Sequence, residues 1–399
     1  MTDILYNTIQ TRTAELTTLR REFHQIPETA WQEVQTTANI RSYLEKLPLT
    51  LSPLPIPGHD TGVLAILSCG DGPVVTLRFD IDALPMQETS APSHLAVQEH
   101  FQSRYPGRMH ACGHDGHIAI GLLTAAILCE HKESLHGTVQ FLFQPAEEGC
   151  RGAKPIAESH LLDSTDYFLA GHIVPAAQYP DTDGDFIMVD GSFATTKLDI
   201  SLFGKAAHAA HPKEGQSVMP ALGRLLTAMY DLIPLDREDI ILNVGKLQAG
   251  TARNILAARA ALEVEMRGMT TEKNTLLTEN VLSIIQSIAK QHKVAIETEI
   301  TGSAPSLESS AALADRLYAY FQKEPSSIHV SSHKTTRFLA SEDASHLMEC
   351  VKSHGGQAAY MLFPAKATAV LHQSNYSFDE NVLLRATIFY IQATLCLLH

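Results

Sequence analysis

Apolar and polar positions alternate in two registers along this chain, and the pattern changes near Asp190. Residues 4–24 place Leu5, Ile9, Leu16, Leu19 and Phe23 at roughly helical spacing, which predicts an amphipathic helix that Pro27 helps to end. A second helix is expected from Trp31 to Leu44. Two short β-rich runs follow, residues 62–67 and 74–79, flanked by glycine or proline. A helix over 116–130, a strand over 138–143, a short helix over 153–160 and a strand over 167–170 continue the pattern. Strands alternating with helices predict an α/β domain with a largely parallel sheet. Ligands in open α/β sheets bind at the carboxyl ends of the strands, and three motifs described below begin where a strand is expected to end.

Beyond Asp190 the reading is strand 197–203, helix 218–232, strands 240–245 and 259–266, helix 272–292 and strand 294–300. The order β-α-β-β-α-β is the split βαβ, ferredoxin-like arrangement, here read as an insertion. The chain then returns to a helix over 311–322, a core strand over 356–363 and an apolar closing helix over 382–398. No internal repeat or low-complexity segment interrupts this order.

Composition narrows the function classes. A length of 399 residues accommodates two or three domains, and 45% hydrophobic residues suffice for a sizeable core. The formal charge of −14, without a long like-charge run, argues against a nucleic-acid partner. The six cysteines are scattered, so no disulfide framework is expected. The N-terminus lacks a basic segment followed by an apolar stretch, which predicts no signal peptide. No apolar run is read as approaching the ~20 residues of a membrane span, leaving the cytoplasm as the expected location.

Candidate chemistry concentrates in a few segments. Met109-His-Ala-Cys-Gly-His-Asp-Gly-His117 packs a thiol and several imidazoles into one run, a metal-site signal, since both ligand types suit zinc. Gln144-Pro-Ala-Glu-Glu-Gly149 follows a strand; one carboxylate there can bind metal while its neighbour faces the reacting water, against the alternative of a solvated acidic loop. His172 and His372 each have the alternative of a satisfied core histidine. Asp80 and Asp82 are candidate partners for ligating histidines, or parts of an Asx turn. His208 in Gly204-Lys-Ala-Ala-His-Ala-Ala-His-Pro212, Asn254 and Arg267 have ordinary loop, turn and surface readings.

Together these segments resemble the metallopeptidase family of aminoacylases, hippurate hydrolases and aminobenzoyl-glutamate hydrolases. The matching motifs also include Phe23-His-Gln-Ile-Pro-Glu28, Asp80-Ile-Asp-Ala-Leu-Pro85, Gly171-His172, His208-Ala209, Gly250-Thr-Ala-Arg-Asn254 and Leu371-His372 with Phe378-Asp-Glu380. Within that family the A-type subunits of aminobenzoyl-glutamate hydrolases are more similar, through Ala194-Thr-Thr-Lys-Leu198, Val244-Gly-Lys-Leu-Gln-Ala-Gly250, Glu263-Val-Glu-Met-Arg-Gly268 and Ser341-Glu-Asp-Ala344 before Gly355-Gly-Gln-Ala-Ala-Tyr360. The chain departs from the family pattern where Ile255 replaces the proline usual after the asparagine, at Phe79, and at His211, a second candidate beside His208.

The resemblance implies a catalytic dinuclear-metal domain over 1–191 and 305–399 and an inserted lid and dimerisation domain over 192–304. It implies two divalent ions per subunit, zinc or manganese with cobalt as an alternative. Their ligands would be Cys112, His114, Glu148, His172 and His372, with the Cys112 thiolate as one candidate for the bridge between the ions. Glu147 would be the general base, the partner subunit's His208 would meet the oxyanion, and Asn254 and Arg267 would hold the substrate carboxylate. The implied reaction is hydrolysis of N-acyl or N-aroyl amino acids, aminobenzoyl-glutamate among them, by a homodimer or with a second type of subunit. Two alternatives stand beside it: a broad aminoacylase or dipeptidase, and a non-catalytic ligand-binding dimer.

Overall fold

β-Branched and aromatic residues fill the buried strands of an eight-stranded sheet, and the chain returns to that sheet after completing a smaller antiparallel one. The structure, a computed structural model, describes residues 8–233, 238–323 and 328–398. Leu5, expected in the first helix, lies outside them. Two compact units divide the chain: Met1–Asp190 with Leu307–Phe338 and Asp343–His399, and Gly191–Ser306 with Leu339–Glu342.

In the first unit the strands are β1 (Thr50–Ser52), β2 (Val63–Ser68), β3 (Val74–Asp80), β4 (Thr138–Gln144), β5 (Tyr167–Pro175), β6 (Phe186–Ser192), β11 (Val330–Phe338) and β12 (Gln357–Ala365). Their order is β1-β2-β4-β3-β5-β12-β6-β11. The centre, β4-β3-β5-β12, is parallel, while β1, β2 and β6 pair antiparallel. The sheet is therefore mixed but mostly parallel at its core, as the alternating pattern predicts.

The helices of this unit include α1 (Thr13–His24), α2 (Val34–Leu44), α3 (His114–Glu130), α4 (Ala153–Ala157), α7 (Ala311–Lys323), α8 (Ala344–Ser353) and α9 (Asn381–Leu398). Every residue of α3 from His114 to Cys129 is buried. It packs against α1, α9 and β3, which explains an apolar sequence with no polar stripe. The closing helix α9 corrects one expectation: by length and composition it could cross a membrane. With 78% of that stretch buried inside the protein, it behaves as a core helix.

Some boundaries move. The second helix begins at Val34 rather than Trp31, because Trp31 has φ 67° and ends a turn that a helix cannot include. The short helix ends at Ala157, short of the expected 160. Strand β5 runs on to Pro175 because β12 pairs with it along its whole length, so His172 lies within a strand rather than beyond its end.

The second unit holds β7 (Ala194–Phe203), α5 (Met219–Tyr230), β8 (Ile240–Ala249), β9 (Arg259–Gly268), α6 (Thr271–His292) and β10 (Ala295–Ala304). Strand order β10-β7-β9-β8, with every pair antiparallel, is the ferredoxin-like topology. Apolar residues on one face of the sheet, such as Leu198, Ile200, Leu262 and Val264, pack with Leu225, Val281 and Ile285 of the two helices. The short stretch Leu339–Glu342 joins this unit, tied by the Phe193 N–H donating to the Ala340 carbonyl at 3.1 Å.

Candidate metal centre

Gly113, at φ 86°, turns the chain sharply between Cys112 and the first residue of α3. That turn sets a thiol just before a helix whose opening turn carries His114 and His117. The Cys112 Sγ lies 3.3 Å from His172 Nε2 and 3.3 Å from His372 Nε2. His372 Nε2 is 3.4 Å from Glu148 Oε1, and His114 Nε2 is 3.9 Å from Glu147 Oε2. Sets of ligand atoms within 4.8 Å of one another here include those of Cys112, His114 and His172; of Cys112, Glu148 and His372; and of His114, Glu147 and Glu148. The side chains named from the sequence as metal ligands are thus gathered in one place, with Glu147 beside them.

Hydrogen bonds fix which atoms face the cluster. His114 donates Nδ1–H to the Asp82 carbonyl at 2.9 Å, and its buried Nε2 has no hydrogen-bond partner. His172 donates Nδ1–H to the Ile173 carbonyl at 2.6 Å, which leaves Nε2 as an acceptor toward Cys112. This is how ligating imidazoles are ordinarily oriented. Burial, then the neighbouring His117, hold His172 well below its ordinary pKa, so its lone pair is available. Burial opposes charge on His114 as well, but Asp80, Asp82 and Glu148 outweigh it and raise His114 to about 10. So much negative charge around one imidazole favours cations in its place. The buried Glu148 Oε1, facing His372 Nε2 at 3.4 Å, points the same way, and the mixed thiol, imidazole and carboxylate donors fit divalent transition metals.

The loop after β4 is held by residues from several elements. Both Asp82 carboxylate oxygens accept from it, Oδ1 from the Glu147 N–H at 3.1 Å and Oδ2 from the Glu148 N–H at 3.0 Å. Glu33 accepts from the Ala146 N–H at 2.9 Å, and burial, reinforced by Asp82, raises Glu33 to about 8. Arg78 links Gln144, Asp80 and Asp343, while Asp343 also accepts from the Ala153 N–H at 2.9 Å. Ala146 at φ 55° and His372 at φ 63° adopt left-handed backbone that non-glycine residues rarely take, a strain often found at functional sites.

His117 is a prop rather than a free ligand. Its Nδ1–H donates to Asp80 Oδ1 at 2.5 Å, and its Nε2 accepts from the Ile173 N–H at 3.0 Å. Both ring nitrogens are therefore committed. Behind it, Asp115 accepts from Arg20 at 2.9 Å and from His24 at 2.7 Å, and Glu380 accepts from Arg20 and Arg21. These contacts account for the Phe23-His24 and Asp379-Glu380 motifs as supports.

The remaining sequence candidates lie in the second unit. His208 is exposed; the adjoining Ala209 N–H donates to the Asn254 carbonyl at 2.9 Å, so His208 and Asn254 are neighbours. His211, the second histidine of that loop, has its ring 5.7 Å from that of His208. Arg267 sits near the far end of β9 and donates to Glu265 at 3.0 Å. From Arg259, near the Asn254 loop, β9 runs about 26 Å to Arg267 at the usual strand rise. Asn254 and Arg267 of one chain are not brought together.

Sequence reasoning missed Glu33, Arg78 and Asp343. Asp343 lay inside the Ser341-Glu-Asp-Ala344 motif and could have been singled out there. Nothing in the local pattern distinguishes Glu33 or Arg78 from surface charges.

The sequence profile of peptidase family M20/M25/M40 matches residues 76–395. The chain belongs to that family. It is a metal-dependent amidohydrolase. A Haemophilus influenzae homolog of the A-type chain of p-aminobenzoyl-glutamate hydrolase is 36% identical over 94% of this chain and 96% of that protein. An indole-3-acetyl-aspartic acid hydrolase of Enterobacter agglomerans is 33% identical over 92% of each. Among solved structures, a dinuclear metal binding peptidase of the M20 family from Bacillus subtilis superposes with a TM-score of 0.73 at 25% identity, covering 98% of this chain and 99% of that one.

Proposed function

We propose that this enzyme hydrolyses the amide bond of N-acyl or N-aroyl amino acids that keep a free carboxylate, with aminobenzoyl-glutamate as the first substrate to test. The observation that carries this reading is the gathering of Cys112, His114, Glu148, His172 and His372 around shared space, with the Glu147 carboxylate alongside. Those five residues would hold two divalent ions, zinc or manganese. When bound, such a pair supplies Lewis acidity toward the scissile carbonyl and a water of lowered pKa.

The chain's own residues carry the rest. Glu147 takes the proton of the attacking water and returns it to the departing amine. The Asp82 carboxylate holds the Glu147 and Glu148 backbone so that their side chains take separate roles. Arg267 gives a planar two-point grip on the substrate carboxylate. The partner subunit's His208 stabilises the oxyanion as charge develops, with the neighbouring Asn254 completing the carboxylate contact. The separation of Asn254 from Arg267 within one chain supports this division between two chains, hence a homodimer. Metal-depleted protein reloaded with zinc or manganese should be assayed on aminobenzoyl-glutamate, hippurate, N-acetyl amino acids and dipeptides. Turnover confined to dipeptides would replace the proposed substrate class, and no turnover with any metal would remove it.

A further inference from the structure

A second cluster of ligand-type side chains shares no residue with the centre above. It lies in the same unit, where the turn after α4 meets the end of α8. Cys350 occupies the last turn of α8 and His354 follows as its cap, four residues on and therefore on the same face. Asp163 comes from the turn after α4, and His160 precedes it by three residues. The ligand atoms of Asp163, Cys350 and His354 all lie within 4.8 Å of one another.

Two features separate this cluster from an ordinary surface ion pair. The first is orientation. His354 Nδ1 lies 2.9 Å from the Cys350 carbonyl, to which it donates, so Nε2 carries the lone pair. That nitrogen faces Asp163 Oδ1 at 3.5 Å. The second is an orphan: Asp163 Oδ1 is buried and has no hydrogen-bond partner, although Oδ2 accepts from His160 at 3.0 Å. An acceptor nitrogen facing an unpartnered carboxylate oxygen, with a thiol beside them, is unfavourable unless a cation or proton lies between. A simple Asp–His pair would explain the proton; the thiol meanwhile donates to the Ala157 carbonyl at 3.4 Å, a weak hydrogen bond that a cation would replace.

We propose that Cys350, His354 and Asp163 form a second metal site, for a borderline-soft divalent cation of the zinc class, with exposed His160 or a water as fourth ligand. Zinc bonds of about 2.0–2.3 Å put tetrahedral ligand atoms roughly 3.3–3.6 Å apart. The 3.5 Å between His354 Nε2 and Asp163 Oδ1 already fits, while the Cys350 Sγ, within 4.8 Å of both, would turn toward them. The thiol excludes magnesium and calcium, which take oxygen ligands. Burial, then Asp163, raise the Cys350 thiol, so it is protonated until a cation displaces the proton. No substrate water is needed here. The ion would act as a clip, tying the turn after α4 to the end of α8.

The test uses the hydrolase with its principal centre already loaded. Zinc or magnesium is added, and alkylation of Cys350 by iodoacetamide is followed by peptide mass spectrometry, alongside zinc content after dialysis. Zinc should slow Cys350 alkylation by about tenfold or more, because a metal-held thiolate is no longer a free nucleophile, and magnesium should not. Asp163→Asn, nearly isosteric, and His354→Ala should each remove the protection and bind one fewer zinc per chain, with hydrolysis unchanged. Equal zinc content in wild type and Asp163→Asn would overturn the proposal. So would protection that persists in His354→Ala, since the thiol alone would then be binding adventitious metal.

Discussion

Replacing His117 by alanine separates two ways of reading the imidazoles at the start of α3. Asp80, His114 and His117 are close enough to hold an ion themselves, yet both His117 nitrogens are engaged. His117→Ala strands the buried Ile173 N–H, at a cost of about 1–3 kcal/mol. It also takes a charge-assisted hydrogen bond from the buried Asp80, about 1.5–3 kcal/mol, although Arg78 still reaches that carboxylate at 2.7 Å. Water entering the space left by the ring recovers part of both, so a loss of about 3 kcal/mol is expected. Urea unfolding measures that loss, and elemental analysis after dialysis measures bound metal. The prop reading predicts the stability loss with an unchanged metal count. One fewer ion per chain, with stability within about 0.5 kcal/mol of wild type, would make His117 a ligand and refute the reasoning.

Other expectations follow from the same contacts. Glu147→Ala should retain metal while kcat falls by about a hundred- to ten-thousand-fold, whereas loss of metal would make Glu147 structural. Burial alone would raise Glu88, but His24 and His94 outweigh it and lower the carboxyl to about 2 from an ordinary 4.5. Its stabilising contribution is therefore complete above pH 4.5 and disappears toward pH 2, so the gap in thermal midpoint between wild type and Glu88→Gln should close across that window. A gap independent of pH would contradict this. A Cβ at Gly152 would collide with the Pro145 carbonyl, so Gly152→Ala should destabilise by about 1–3 kcal/mol in urea unfolding and displace the Glu147-Glu148 loop.

The sequence pattern was most legible where each element meets one environment. The second unit has one buried face per strand, and its alternation at Leu198, Ile200 and Leu202 made the ferredoxin-like order readable. Strand β11, Val-Ser-Ser-His-Lys-Thr-Thr-Arg-Phe, lies at the sheet edge and is largely polar, so periodicity gave no sign of it. Helix α8 escaped notice although Ala344, Leu347, Met348 and Val351 recur at helical spacing, because ten residues give only a short apolar stripe. The ligand candidates were legible through motif order and resemblance, not periodicity. What holds them was not: the contact of Asp343 with Gln144 joins residues 199 positions apart, and only the folded chain brings them together.

Anomalous diffraction from crystals of the zinc- or manganese-loaded protein tests the central claim most directly. The account predicts two peaks about 3.5–4 Å apart, with Cys112 Sγ and the Nε2 atoms of His114, His172 and His372 among their ligands and Glu147 bound to neither. A single ion in that pocket, or an ion ligated by Glu147, would contradict it.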